Sequence, residues 1–599
     1  MKKYFTLLFL PLAATLLFSC SPPTATSECD RLYQERNGEV IYYGDKTNDL
    51  IIHLTSEPPN LHPTSRSHAN RDIIVGNTHM ALAVVGSEGE LVPELAEAPP
   101  EVSADGLTYT YRIHPAAKWQ DGRPITARDV LFSYKVAVYK HTEAPAAGTY
   151  NYFLKDIVLD EADERKLSLV MAEKYILNPY ITSNNSVLDQ AFFDPEKKLD
   201  AYTFTEMKEP EGAAAQDQAL IEWAAGYTSA KYGTDLAFLK GGAGPYEVVE
   251  WEQGQHVVLQ RKRPFWSDAL NDERYQYYPE RMMFKFIPDD QSAALQIKQQ
   301  AIDVSTQLST AAFEDLENSE EAQCHYRLIK TDRFSIAAIL LNNRPDGIAH
   351  PRIFDDKRVR QAVGLALPVK EMIRTYFDSS TKVVNSPVSR FHRDYNTQLP
   401  DYEYDPQAAA RLLDEAGWVD SDQDGIRDKL IEGKQQPLSF KLSFSNSQQA
   451  VSDMVDRIGI ELKKIGVACV PDPQRGISGL LMEKNYDAVL TALSMSSVPY
   501  DFHQLWHSSN WPSASNFTGY SNPRVDELSE LARRELDPEK RKLMVDEIQE
   551  IIYEDRPALF LFNPTAKIAI HKRFSNAEVF HERPYLNFSS LKVVKANSQ

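Results

Sequence analysis

SADGLTYTYRIHPAAKWQDGRPITARDVLFSYK, residues 103–135, carries three structural signals in one run. From 107 to 114 the pattern alternates: Leu107, Tyr109, Tyr111 and Ile113 fall on one side, and Thr108, Thr110, Arg112 and His114 on the other. A period of two, built from aromatic and β-branched residues, is that of a strand with one face buried. The run continues as a hairpin with Gly122 in a turn, and Thr126 followed by Asp129 then marks the start of a helix. Strand, turn and capped helix within one stretch predict a mixed fold, and none of them needs a ligand to explain it.

The same texture extends outward in both directions. Asp405-Pro406 and Gly417 bracket AAARLLDEA, Asn522-Pro523 opens RVDELSELARRE, and Asp537-Pro538 opens EKRKLMVDEIQEIIYED. Each pairs an N-cap side chain with a proline at the first helical position, where the missing N–H costs nothing. Val359, Ala362, Val363 and Ala366 form one apolar stripe, and Met544, Ile548, Ile551 and Ile552 another. Such stripes face a core. Helices and strands mixed along the whole length predict an α/β architecture with several lobes, and the length of 599 residues allows about two to four domains.

At the N-terminus, Lys2 and Lys3 precede an apolar run from Tyr4 to Phe18, interrupted by Pro11 and followed by Ser19 and Cys20. The run is short for a membrane span and reads as an export signal over 1–19. LFSC at 17–20 resembles a lipobox, which makes Cys20 the expected lipidation site. Residues 20–48 read as a tether. A net charge of −20 argues against nucleic acid as a partner. Cys29, Cys324 and Cys469 lack metal-site spacing; an oxidising compartment permits one disulfide among them, with the pair left open.

A series of separated segments resembles the bacterial extracellular solute-binding proteins of family 5, the oligopeptide/dipeptide-binding type. In order these are EPPNLHPT (57–64), GELVPELAE (89–97), the stretch at 103–135, GAGPYEVVEWEQGQHVVLQRKRPFWSD (242–268), FDDKRVRQAVGLAL (354–367), DYEYDPQAAARLLDEAGW (401–418), SNFTGYSNPRVDEL (515–528) and DRPALFLF (555–562). The Gly-x-Gly at 242–244 is no dinucleotide loop, since position 247 is Glu and strand follows. The resemblance implies a bilobal periplasmic-binding-protein fold of class II (cluster C) with an extra subdomain in the first lobe. The implied first-lobe core is 49–85, 236–334 and 557–599, the extra subdomain 86–235 and the second lobe 335–556. It also implies an ABC-importer component that captures a peptide or other small solute for a permease and ATPase complex, acting as a lipid-anchored monomer outside the cytoplasm, with no cofactor and no enzymatic activity.

Binding a flexible zwitterion calls for charge pairing at its termini and a roomy, partly aromatic pocket. The family's ammonium-binding stretch corresponds here to 493–509, where Asp501 is the single acid, while alignment on Pro499 places Met495 at the acid's position. Ser494, Tyr500 and Trp506 are further candidates from that stretch. Thr64, Ser65 and Arg66 stand where the family's cleft begins, Arg66 as a carboxylate partner, and Tyr246 follows the Gly-rich turn. DSDQDGIRD at 420–428 places Asp420, Asp422, Asp424 and Asp428 at calcium-loop spacing, but the twelfth position is Ile431 rather than Glu, so no metal is expected. An exported hydrolase is disfavoured: the chain has no GxSxG or HExxH, and HERPY at 581–585 lacks a second histidine. A sensor lipoprotein, or a binder of a nickel complex, oligosaccharide or haem, remains open on the same scaffold.

Overall fold

The computed structural model describes residues 28–65, 68–144, 147–229, 235–344, 350–377 and 380–595. The export signal, Cys20 and Arg66 lie outside the described residues. Two large sheets organise the chain. The seven-stranded sheet runs in the order Tyr246–Glu252, His256–Arg261, Arg281–Phe286, Leu50–Leu54, Val304–Ser305, Thr565–His571, Tyr326–Asp332. The six-stranded sheet runs Lys382–Val383, Ala558–Asn563, Ser335–Leu341, Ala488–Ser494, Ser439–Ser445, Ala468–Gln474.

The strand Ser335–Leu341 shows why the second sheet lies at the centre of its lobe. Its residues SIAAILL are apolar on both faces, with Ile336, Ala338 and Leu340 in one core and Ala337, Ile339 and Leu341 in another. Only a strand covered on both sides reads as a continuous hydrophobic run. The predicted stripe at 359–366 covers one face: Val359, Ala362, Val363 and Ala366 are all buried there. On the other face Ile548 and Ile552 are buried, from the helix Pro538–Asp555.

Thr108–Arg112 is a strand with Tyr109 and Tyr111 buried and Arg112 exposed, as its alternation predicts. It pairs with the short preceding strand Glu101–Val102 on one side and with the distant Lys166–Met171 on the other, inside a four-stranded sheet. The hairpin at Gly122 shrinks to a single bridge, Lys118 to Pro124. The helix Ala127–Val138 begins where Thr126 predicts, its N–H donating to Asp129 Oδ2 at 2.9 Å. The prolines at 406, 523 and 538 each open a helix behind a capping Asp or Asn. The small sheet shares one core with the seven-stranded sheet, so both belong to one lobe.

The chain passes between the two large sheets twice, at Arg333–Phe334 and at Pro564. The crossings lie side by side, with the Arg333 N–H donating to the Pro564 carbonyl at 3.1 Å. The expected tether is shorter than 20–48. Glu28–Leu32 is helical, Tyr33–Arg36 pairs with Glu39–Tyr42, and a Cys29–Cys324 disulfide fastens the segment to the first lobe. Apolar Tyr33 and Tyr42 stack at 5.7 Å and explain the folding of a stretch whose composition reads as linker.

Candidate functional site

A cavity of about 1060 Å³ opens beside the double crossing. One helix face lines it: Ala69, Asp72, Ile73, Gly76 and Asn77, at helical spacing along Ala69–Thr78. The ribbon Ala83–Val85 and Leu91–Pro93 supplies a second wall, the stretch from Glu273 to Tyr277 a third, and the C-terminal segment from Glu578 to Ser589 a fourth. The crossing contributes Arg333, Phe334 and Ser335, and the other lobe contributes Ser494 and Met495.

Two half-buried charged groups face this space. Glu94 Oε2 accepts from the Ala81 N–H at 2.8 Å, and among the described residues no basic nitrogen lies within ion-pairing distance of it. Burial pushes its carboxyl up to about 7. Arg333 likewise has no carboxylate partner among the described residues; burial pulls its guanidinium below its usual range, partly offset by the Tyr585 hydroxyl. The neighbouring acids and bases are better supplied. Asp72 pairs with Arg71 at 2.6 Å, Arg274 pairs with Asp272 at 2.5 Å, and Glu582 accepts from Ser497 Oγ at 2.7 Å.

The lobes meet along the rim. Arg393 of the second lobe donates to the carbonyls of Glu88 and of Ser497, and Ser497 Oγ lies 3.3 Å from the Gly86 carbonyl oxygen. Gly89 sits in this contact with φ +76, and a Cβ there would fall 2.2 Å from the Ser497 carbonyl oxygen. A second contact joins Asp501 to the first lobe.

Asp501 caps the helix Phe502–Trp506 by accepting from the His503 N–H, accepts from the Tyr175 hydroxyl at 2.8 Å, and pairs with Arg533 at 3.2 Å. Its side chain is 2% exposed, so the acid expected to meet a solute amine is held by the protein's own donors outside the cavity. Trp506 is a core residue between Tyr520 and Phe560, and Tyr500 packs edge-on against Phe502. Tyr246 is fully buried with its hydroxyl on the Pro279 carbonyl. Thr64 and Ser65 bond back to His62, away from the cavity. Ser494 and Met495 are the two expected residues that line it.

At 420–428 the carboxylates of Asp420, Asp422 and Asp428 come within 4.8 Å of one another, without Asp424. They hold their own turn: Asp420 accepts from the Gly425 N–H at 3.1 Å and Asp428 from the Ser421 hydroxyl at 2.6 Å. Ile431, at the missing twelfth position, lies in the strand Asp428–Ile431.

Sequence reasoning missed Glu94, Arg333 and the C-terminal wall. The signals were present but ambiguous. Glu94 lies inside GELVPELAE and HERPY is part of the wall, yet neither motif indicates that it faces a cavity.

The model of the bacterial extracellular solute-binding proteins, family 5 (Middle), matches residues 90–513. The oligopeptide-binding protein AppA of Bacillus subtilis (strain 168) is 26% identical over 504 residues, covering 82% of each chain. Its structure with a nonapeptide superposes with a TM-score of 0.69 over 91% of this chain and 99% of that one, at 22% identity. NikZ from Campylobacter jejuni, solved with Ni(L-His), superposes with a TM-score of 0.69 over 91% of this chain and 98% of that one, at 19% identity. Two lobes joined by paired crossings around one cavity, together with a family match running from the cavity's ribbon through most of the second lobe, lead to one conclusion: this chain belongs to the bacterial extracellular solute-binding proteins, family 5.

Proposed function

We propose that this protein is the extracytoplasmic solute-binding component of an ATP-driven importer, and that its interlobe cavity receives a short peptide and passes it intact to a membrane permease. The observation that carries this reading is the cavity of about 1060 Å³ between two lobes that the chain links at adjacent crossings. That volume is at the upper end of small-ligand pockets, and lobe closure about such a hinge is a standard way to enclose a solute. Arg333 is the group for a solute carboxylate, and Ser494 and Met495 are its contacts from the second lobe. The relative named as an oligopeptide-binding protein supports a peptide over the nickel complex held by the more distant one.

Binding without turnover is the reading supported by membership in a family of solute-binding proteins. The proposed lobes depart from the boundaries expected from sequence in two places: the strand Ala558–Asn563 pairs in the second-lobe sheet, so the first lobe resumes after Pro564 rather than at 557, and the first-lobe core takes in residues 28–42. Cys20 is the lipid anchor of a monomer. Native mass spectrometry of the purified protein tests the reading. Retained masses of short peptides, released unchanged, are the expected result; a retained metal complex, or hydrolysis of an added peptide, would overturn it.

A further inference from the structure

The charges around the cavity do not balance. With Asp72 and Arg274 neutralised by Arg71 and Asp272, the carboxylates of Glu90, Glu94, Glu273, Glu578 and Glu582 have no cation in ion-pairing distance among the described residues. Against them stand the guanidiniums of Arg333 and Arg583, likewise without a carboxylate. Glu90, Glu273 and Glu578 are exposed at the rim, where water screens them, and Glu582 is held by Ser497. Glu94 differs, because it is half-buried between the ribbon and Tyr275, whose hydroxyl donates to the Glu94 carbonyl at 2.6 Å.

A carboxylate taken out of water without a counter-ion is unfavourable unless something arrives to pair with it. The single Ala81 N–H leaves most of its acceptor capacity unused. Rim acids attract cations toward the opening and a half-buried acid holds one inside, the two ingredients of charge-selective capture.

We infer that Glu94 is the residue that selects for a positively charged solute, pairing in the cavity with an alkylammonium or guanidinium group. This rests on the solute-binding reading above and narrows it to cationic solutes. The group can be a lysine or arginine side chain of a peptide, or an amine of a free polyamine. In each case it exchanges hydration for a charge-assisted hydrogen bond to Glu94, while Arg333 remains available for a carboxylate at the other end.

Isothermal titration of the full folded protein and of Glu94→Gln tests this, with Ala-Ala-Ala, Ala-Lys-Ala and spermidine as probes. Gln keeps the acceptor for the Ala81 N–H and removes the charge. A loss of roughly tenfold or more in the variant on both peptides would mean that Glu94 meets the α-ammonium common to every peptide, and would overturn selection for a cationic solute. The same loss confined to Ala-Lys-Ala identifies the side chain, and confined to spermidine a non-peptide amine. Wild-type affinity for the bound probe should also rise between pH 5.5 and 8 as Glu94 ionises, and the variant's should not. A variant that binds every probe as the wild type does overturns the inference while leaving peptide binding intact. If the wild type binds no probe at all, the inference fails, and if the peptides alone go unbound, the peptide reading fails separately.

Discussion

At the scale of single residues, the cavity contains a group that works against the stability of the protein around it. Burial raises the Glu94 carboxyl from 4.5 to about 7. Because the folded value lies above the unfolded one, the folded state is favoured at low pH, and that stability is lost as pH rises through 7. Glu94→Gln should therefore melt at the same temperature as the wild type near pH 4 and at a higher one at pH 8, with a gain on the order of 1–3 kcal/mol. Thermal melts of the ligand-free proteins across pH check this; equal melting at pH 8 would mean that the carboxylate is well solvated. Asp501 teaches the converse lesson. Its place in an aromatic stretch suggested a ligand contact, but Arg533, Tyr175 and the His503 N–H supply its partners within the protein.

At the scale of elements, the turn Gly86–Glu90 is one of the pieces of the first lobe that reach the second. Gly89 is left-handed there and has no room for a side chain against Ser497. Gly89→Ala therefore combines backbone strain of about 1 kcal/mol with a clash that exists only when the lobes are together. It should leave the fold intact by circular dichroism and weaken solute binding by roughly tenfold, as read by titration. Unchanged affinity would show that closure does not need this contact. Elsewhere the elements are held by devices local enough to read from sequence, such as the Asp537 side chain on the Glu539 and Lys540 N–H groups. Others are not local: Arg541 forks onto Asp394 with bonds of 2.7 and 2.5 Å, across 147 positions of sequence. Burial raises the Asp394 carboxyl, but Arg541 outweighs it and holds it below its ordinary value.

At the scale of the whole molecule, the two lobes are joined through Arg333–Phe334 and Pro564 and touch again at Gly86–Glu90 and at Tyr175–Asp501. Small-angle X-ray scattering should show the protein becoming more compact when its solute binds, as the rim contacts form; an unchanged radius of gyration with saturating solute would rule out closure. What the sequence determined by itself is everything that short-range physics controls. The alternation at 107–114 made a half-buried strand, and Asp and Asn before proline started helices, so the α/β class was legible. The tertiary structure alone decided which distant segments meet. It paired Thr108–Arg112 with Lys166–Met171, joined Cys29 to Cys324 across 295 positions, buried Asp501 against Arg533, and brought Glu94, Arg333 and the C-terminal wall around one cavity. A side chain's local pattern indicates that it will be buried or capped, but whether it faces a core, a partner or a solute depends on long-range packing that no local period encodes.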